Sequence, residues 1–191
     1  MPVSAHDVAA YTLDRLGPTH TLKLQKLLYY LQAWTLVATD ERLYREEIHA
    51  FEKGPVVKEL WATYRGSREI RREALKGDAA RIPFDVIPVL DAVLDFYGPV
   101  SRFDLIDMTH NESPWKSTWD QRGERGDRIA TSAMRDFYRD LSLSSERTPH
   151  LPPVKHTLVP DLFLAQIDCD VESASETWMN ALRAARAVAA G

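Results

Sequence analysis

Asp107, His110 and Glu112 are residue types that bind divalent metals or exchange protons, and they lie within one six-residue window. Asp107 and His110 are three apart and share a helix face, while Glu112 follows the expected helix end. The cluster permits a metal-dependent hydrolase. It also permits a structural role, in which His110 bonds a backbone group at the helix end and an imidazolium suits the helix dipole. The structural role is preferred, because clustered ionisable groups mark functional sites only statistically. Other chemistry has less support. The single Cys169 has no nearby histidine, no Ser and His form a recognisable motif, and Gly54 and Gly66 belong to neither a GxGxxG nor a Walker sequence. No catalytic residue, metal ligand or cofactor is therefore assigned.

The remaining candidates are residues that could hold a partner. Lys23, Lys26, Tyr30 and Trp34 fall off the main apolar stripe of the segment LKLQKLLYYLQAWTLVA, residues 22–38. Basic and aromatic side chains contribute most when buried in an interface, so these residues could line a pocket or docking groove. The opposing reading is core packing, with lysine stems covering neighbouring surface; it is preferred for Trp34. Lys26→Ala is expected to leave the melting temperature nearly unchanged. A second candidate is the polar stretch 65–81, where Arg65, Arg68, Arg71, Arg72, Lys76 and Arg81 outnumber Glu69, Glu73 and Asp78 by three. It reads either as a solvated connector or as a docking patch for an acidic partner or a phosphate backbone, with Arg68, Arg71 and Arg72 as its contacts. A third is the carboxy-terminal segment, where a proline-rich linker leads into LFLAQI and a short amphipathic helix. It can pack back on the core or enter a partner's groove, with Phe163, Trp178 and Leu182 as anchors.

These residues need a scaffold, and helical periodicity supplies it. In 22–38, Leu24, Leu27, Leu28, Leu31, Thr35 and Ala38 mark one face, while Tyr29, Tyr30, Trp34 and Leu36 extend apolar character around the circumference. A helix of this kind is central, and Leu27→Ala or Leu31→Ala should cost about 2 to 5 kcal/mol. Before it, Ser4 with Asp7 caps a first helix that Gly17-Pro18 stops, and a short turn at 19–21 joins the two. After it, 48–51 is a short extended segment, Gly54-Pro55 suits a helix start, and Asp85 and the Ser101–Asp104 pair cap two further helices. Phe103, Leu105, Ile106 and Met108 are the apolar residues that follow the second of these caps. Ser113-Pro114 opens a turn holding Trp115 and Trp119, 120–128 is a loop, and Thr131 or Ser132 caps a helix burying Met134, Phe137, Tyr138 and Leu141. The fold class is mainly α: a compact domain of about seven helices with at most a small two-stranded β element. Residues 1–142 form this domain, and 143–191 form a linker and extension with a strand-like segment and a final helix.

A chain of 191 residues builds a core without disulfides or metal. A net charge of −4 and a pI near 5.9 make general nucleic-acid binding unlike this chain, since a phosphate-tracking surface makes its domain basic. No charged-then-apolar amino-terminal segment is present, so cytoplasmic residence without membrane association is expected.

Taken in order, LKLQKLLYYLQAW, FEKGPVVKELWATYRG, FYGPVSRFDLIDMTH and ESPW resemble the Panacea domain, the family of SocA-like antitoxins often found in phage-associated proteins. The resemblance spans roughly residues 8–141, and four ordered motifs are far more specific than one. It implies an antitoxin that binds a cognate protein toxin, usually encoded beside it, without catalytic activity of its own. It also makes the 22–38 helix a signature of the family, so Lys23, Gln25, Lys26 and Tyr30 are the polar positions at which to test partner binding. Neutralisation would occur by covering the toxin or by delivering it to an ATP-dependent protease. The alternative from a different class is a nucleic-acid-binding regulator using 65–81.

Overall fold

The computed structural model describes residues 3–122, 126–145 and 147–153. They form seven α-helices: α1 (Ala5–Leu16), α2 (Thr21–Thr39), α3 (Lys58–Tyr64), α4 (Ile87–Tyr97), α5 (Arg102–Asn111), α6 (Ser113–Arg122) and α7 (Thr131–Ser144). Four short strands accompany them: β1 (Thr19–His20), β2 (Ile48–Phe51), β3 (Gly54–Val57) and β4 (Glu69–Ile70). The fold is mainly α, with two antiparallel strand pairs, β1–β4 and β2–β3, where one had been expected.

Helix α2 is the axis. It packs against α1, α4, α5, α7 and β3, and apart from Leu22, Lys23, Val37 and Ala38 every residue in it is buried. Leu27 and Leu31 are wholly inside, so Leu27→Ala or Leu31→Ala should lower unfolding free energy by about 2 to 5 kcal/mol in denaturant titrations. Ser4 and Asp7 form a capping box on α1, and Ser101 with Asp104 caps α5.

Several local expectations are corrected. Gly54-Pro55 does not start a helix. Gly54 has φ +92° and closes the β2–β3 hairpin, Pro55 lies in β3 opposite Ala50, and α3 begins at Lys58. Proline fits because the Ala50 N–H donates to the Asp127 carbonyl outside the hairpin. The segment expected to be a plain turn contains β1, which pairs with β4 through Thr19↔Ile70 and His20↔Glu69. Asp85 does not cap α4: Val86 is its N-cap, with Pro88 in the first turn, and Ala130 rather than Thr131 or Ser132 precedes α7. The Ser113-Pro114 turn continues as a ten-residue helix, so the loop expected from 120 is shorter. Phe103 lies outward on α5 while Leu105 and Thr109 lie inward. Beyond α7, Pro149 and His150 lie along Ala92 and Phe96 of α4.

Candidate functional site

The polar side chains of α2 are fasteners, each aimed at a different element. Lys23 Nζ donates to the Gly98 carbonyl at 2.6 Å and holds the corner between α4 and α5. Gln25 Oε1 accepts from the Val57 N–H at 2.8 Å, and Lys26 Nζ donates to the Pro55 carbonyl at 2.8 Å, so two adjacent residues grip β3. Tyr30 OH donates to Glu112 at 3.0 Å, and Gln32 Oε1 accepts from the Tyr44 N–H at 3.1 Å. These bonds satisfy backbone and carboxylate groups that would otherwise be buried without partners. The spacing follows from the helix: residues 26 and 30 are one turn apart and face the hairpin and the α5–α6 corner in succession.

Glu112 sits at the centre of the aromatic interior. Tyr30 and Tyr138 donate to its two carboxylate oxygens, at 3.0 Å and 2.6 Å, tying α2 and α7 to the α5–α6 corner. Tyr97 stacks on Tyr30 with ring centroids 3.8 Å apart, and its hydroxyl accepts from Trp34 Nε1 at 3.1 Å. Burial raises the Glu112 pKa to about 7, against the opposing pull of the two tyrosine hydroxyls. Burial likewise lowers the Lys26 ammonium to about 7. Two groups that are permanently charged on a surface are therefore poised to lose their charge inside this domain.

The geometry sorts the candidate residues. Asp107 is exposed and Glu112 is buried between tyrosines, so they do not converge with His110; among the described residues no cluster of three could hold a metal. His110 stacks on Trp115 at 4.0 Å. Its pKa is lowered by burial and then by the neighbouring Lys26 charge, which corrects the expected imidazolium at the helix end. Gln25, Lys26 and Tyr30 are wholly inside, which places these three beneath the surface, whereas Lys23 is half-buried at the start of α2. Lys26→Ala is accordingly no surface change: deleting its stem opens a cavity and orphans the Pro55 carbonyl, and stability should fall by about 2 to 4 kcal/mol by denaturant midpoint. Arg72 is paired with Asp14 of α1 at 2.9 Å and Arg71 with Glu69 at 3.6 Å, while Arg68 is exposed. Phe163, Trp178 and Leu182 lie outside the described residues.

Residues 24–116 match the family described as Antitoxin SocA-like, Panacea domain. That segment is therefore similar to a SocA-like Panacea domain. Neither a curated protein nor a solved structure matches it. The matched range includes the fasteners Gln25, Lys26, Tyr30 and Gln32 and the groups of Val57, Pro55, Glu112 and Tyr44 that they hold, while Lys23 lies one residue before it. Tyr138, the second donor to Glu112, comes from α7 beyond that range. A SocA-like Panacea domain supports a general antitoxin role and a protein partner. Among the described residues no helix is long and apolar enough to cross a membrane.

Sequence reasoning missed the tyrosine pair on Glu112, because Tyr30 and Tyr138 lie 82 and 26 residues from it and no local spacing joins them. It also missed the exposure of Phe103. That signal was available: Phe103 and Leu105 are two apart, about 200° around a helix, so both cannot face the core.

Proposed function

We propose that this chain is a cytoplasmic antitoxin that binds a cognate protein toxin directly and neutralises it without catalysis or a cofactor. The match of residues 24–116 to the SocA-like Panacea domain carries the reading. It is supported by the placement of the polar signature residues of α2, which hold β3, the α4–α5 corner and Glu112 together and leave the outer surface to meet a partner. In this reading residues 1–142 are the antitoxin domain and 143–191 its extension, with Phe163, Trp178 and Leu182 as anchors for the partner.

The test is co-expression with the adjacent reading frame. The neighbour alone should arrest growth, the pair should grow, and the two proteins should copurify. Failure of this chain to relieve the arrest would sink the proposal. The toxin's fate separates two mechanisms. A toxin that persists in complex with the antitoxin indicates occlusion, whereas a half-life that shortens only when an ATP-dependent protease is present indicates delivery.

A further inference from the structure

Four elements meet where α2 begins, and they bring cations and exposed apolar side chains together. Lys23 reaches from α2 to the Gly98 carbonyl, and Leu16 at the end of α1 lies beside Gly98. Arg102 at the start of α5 places its guanidinium 4.5 Å from the Phe103 ring centroid. The Thr21 N–H at the start of α2 donates to the Arg68 carbonyl at 3.1 Å. Arg102 and Arg68 lower the His20 pKa after the larger effect of burial, while Glu69, paired opposite His20, raises it. Phe103 is 63% exposed and Leu16 37% exposed.

Among the described residues the cations of this patch form no ion pair: no carboxylate pairs with Lys23, Arg68 or Arg102, although exposed arginines elsewhere on the domain are paired, as Arg72 is with Asp14 and Arg135 with Asp40. The nearby acids are engaged: Glu69 pairs with Arg71, and Asp104 accepts from Ser101 in the α5 cap. On a chain of net charge −4, a surface with Lys23, Arg68, Arg71 and Arg102 against Glu69 and Asp104, and with the exposed Phe103 beside Arg102, is a local reversal of sign. Arginine and aromatic residues are also the types that dominate interface energies.

We infer that the patch formed by Leu16, Lys23, Arg68, Arg102 and Phe103 is the docking surface for an acidic face of the partner protein, with Phe103 as its apolar anchor. The inference rests on the antitoxin reading and supplies its contact surface. Charge complementarity selects an acidic occupant, because a neutral or basic face would leave three cations unpaired at the interface. Protein is favoured over nucleic acid by the apolar share of the patch and its few cations, since a phosphate-tracking surface needs a longer run of positive charge.

The probe is the growth-arresting product of the adjacent reading frame, titrated with the full chain. Arg68→Glu combined with Arg102→Glu should weaken binding at least ~100-fold and abolish growth rescue. Phe103→Ser should weaken it at least ~10-fold. Melting temperatures should stay near wild type, because the altered side chains hold no buried group. Lys116→Glu, exposed on α6, should bind as wild type. Wild-type affinity should fall as salt rises, with a shallower fall in the double variant. If the folded double variant binds and rescues normally, the docking surface is wrong while the antitoxin reading stands. If the wild-type chain itself neither binds nor rescues, both are wrong. If the double variant loses affinity for duplex DNA but keeps the protein partner, the occupant is nucleic acid and the proposal is overturned.

Discussion

Replacing Glu112 by Gln should remove a pH dependence of stability that the wild-type chain carries between about pH 4.5 and 7. The folded pKa of Glu112 is raised by burial to about 7 from an ordinary 4.5, so the folded state binds a proton that the unfolded state has released across this interval. Its stabilising contribution is complete below 4.5 and is lost as pH rises through 7. The shift corresponds to about 3 kcal/mol. Lys26 has the opposite sign. Its folded pKa is lowered from 10.5 to about 7, so the unfolded state binds the extra proton in this interval and stability rises with pH, by about 5 kcal/mol in total. The two contributions together place a minimum near neutrality. Other groups overlap them: His20 and His110, with lowered pKa values, favour folding as pH rises, and Asp7, also lowered, favours it once ionised. Difference curves isolate each effect. Wild type minus Glu112→Gln should fall from pH 4.5 to 8, and wild type minus Lys26→Met should rise from pH 6 to 10. Both are read from urea midpoints at constant ionic strength. Glutamine is the apt replacement because it is neutral and can still bond both Tyr30 and Tyr138. Flat difference curves would mean that neither group is held away from water.

The second large effect is expected at Gly54. Gly54→Val should destabilise the domain by about 4 kcal/mol, because it combines backbone strain with overpacking. The backbone there has φ +92°, where a β-branched residue is strained, and an added Cβ would lie 2.7 Å from both Lys26 Cε and Thr109 Oγ1. The hairpin cannot retreat freely, since Pro55 and Val57 are held by Lys26 and Gln25. Gly54→Val combined with Lys26→Ala should recover part of the loss by removing one side chain in the way, leaving the φ strain and the Thr109 contact behind. A double variant no better than the sum of the single ones would show that the φ strain and Thr109, not Lys26, account for the glycine.

The helical scaffold was legible in the sequence because its signals are local. The three-four spacing of leucines in α2, the Ser4–Asp7 box and the Ser101–Asp104 pair each specify an element within a few residues. Gly54-Pro55 misled because the same dipeptide suits a helix entry and a hairpin exit; the strand pairing with β2 decides between them, and it is a tertiary fact. The polar residues of α2 were visible as exceptions to the apolar pattern, but their purpose was not. Lysine at 26 reads as a surface residue until the Pro55 carbonyl, 29 positions away, is placed against it. The same holds for Glu112, which sequence alone groups with His110 and Asp107 and which the fold gives to two tyrosines. The docking patch is legible only in part, because Arg68 stood out in a basic stretch whereas Leu16 and Phe103 joined it through the meeting of α1, α4 and α5.

The central claim is that the signature residues of α2 hold the domain together from within while partner binding is done at the surface. Its most direct test is the affinity of Lys26→Met and Tyr30→Phe for the growth-arresting neighbour, measured calorimetrically well below each variant's melting temperature. Methionine keeps most of the buried lysine's volume, and phenylalanine keeps the ring stacked on Tyr97. The account predicts dissociation constants within about threefold of wild type for both folded variants, because neither side chain reaches solvent. A loss of a hundredfold or more with folding intact would place the partner's contact on α2 itself and contradict the account.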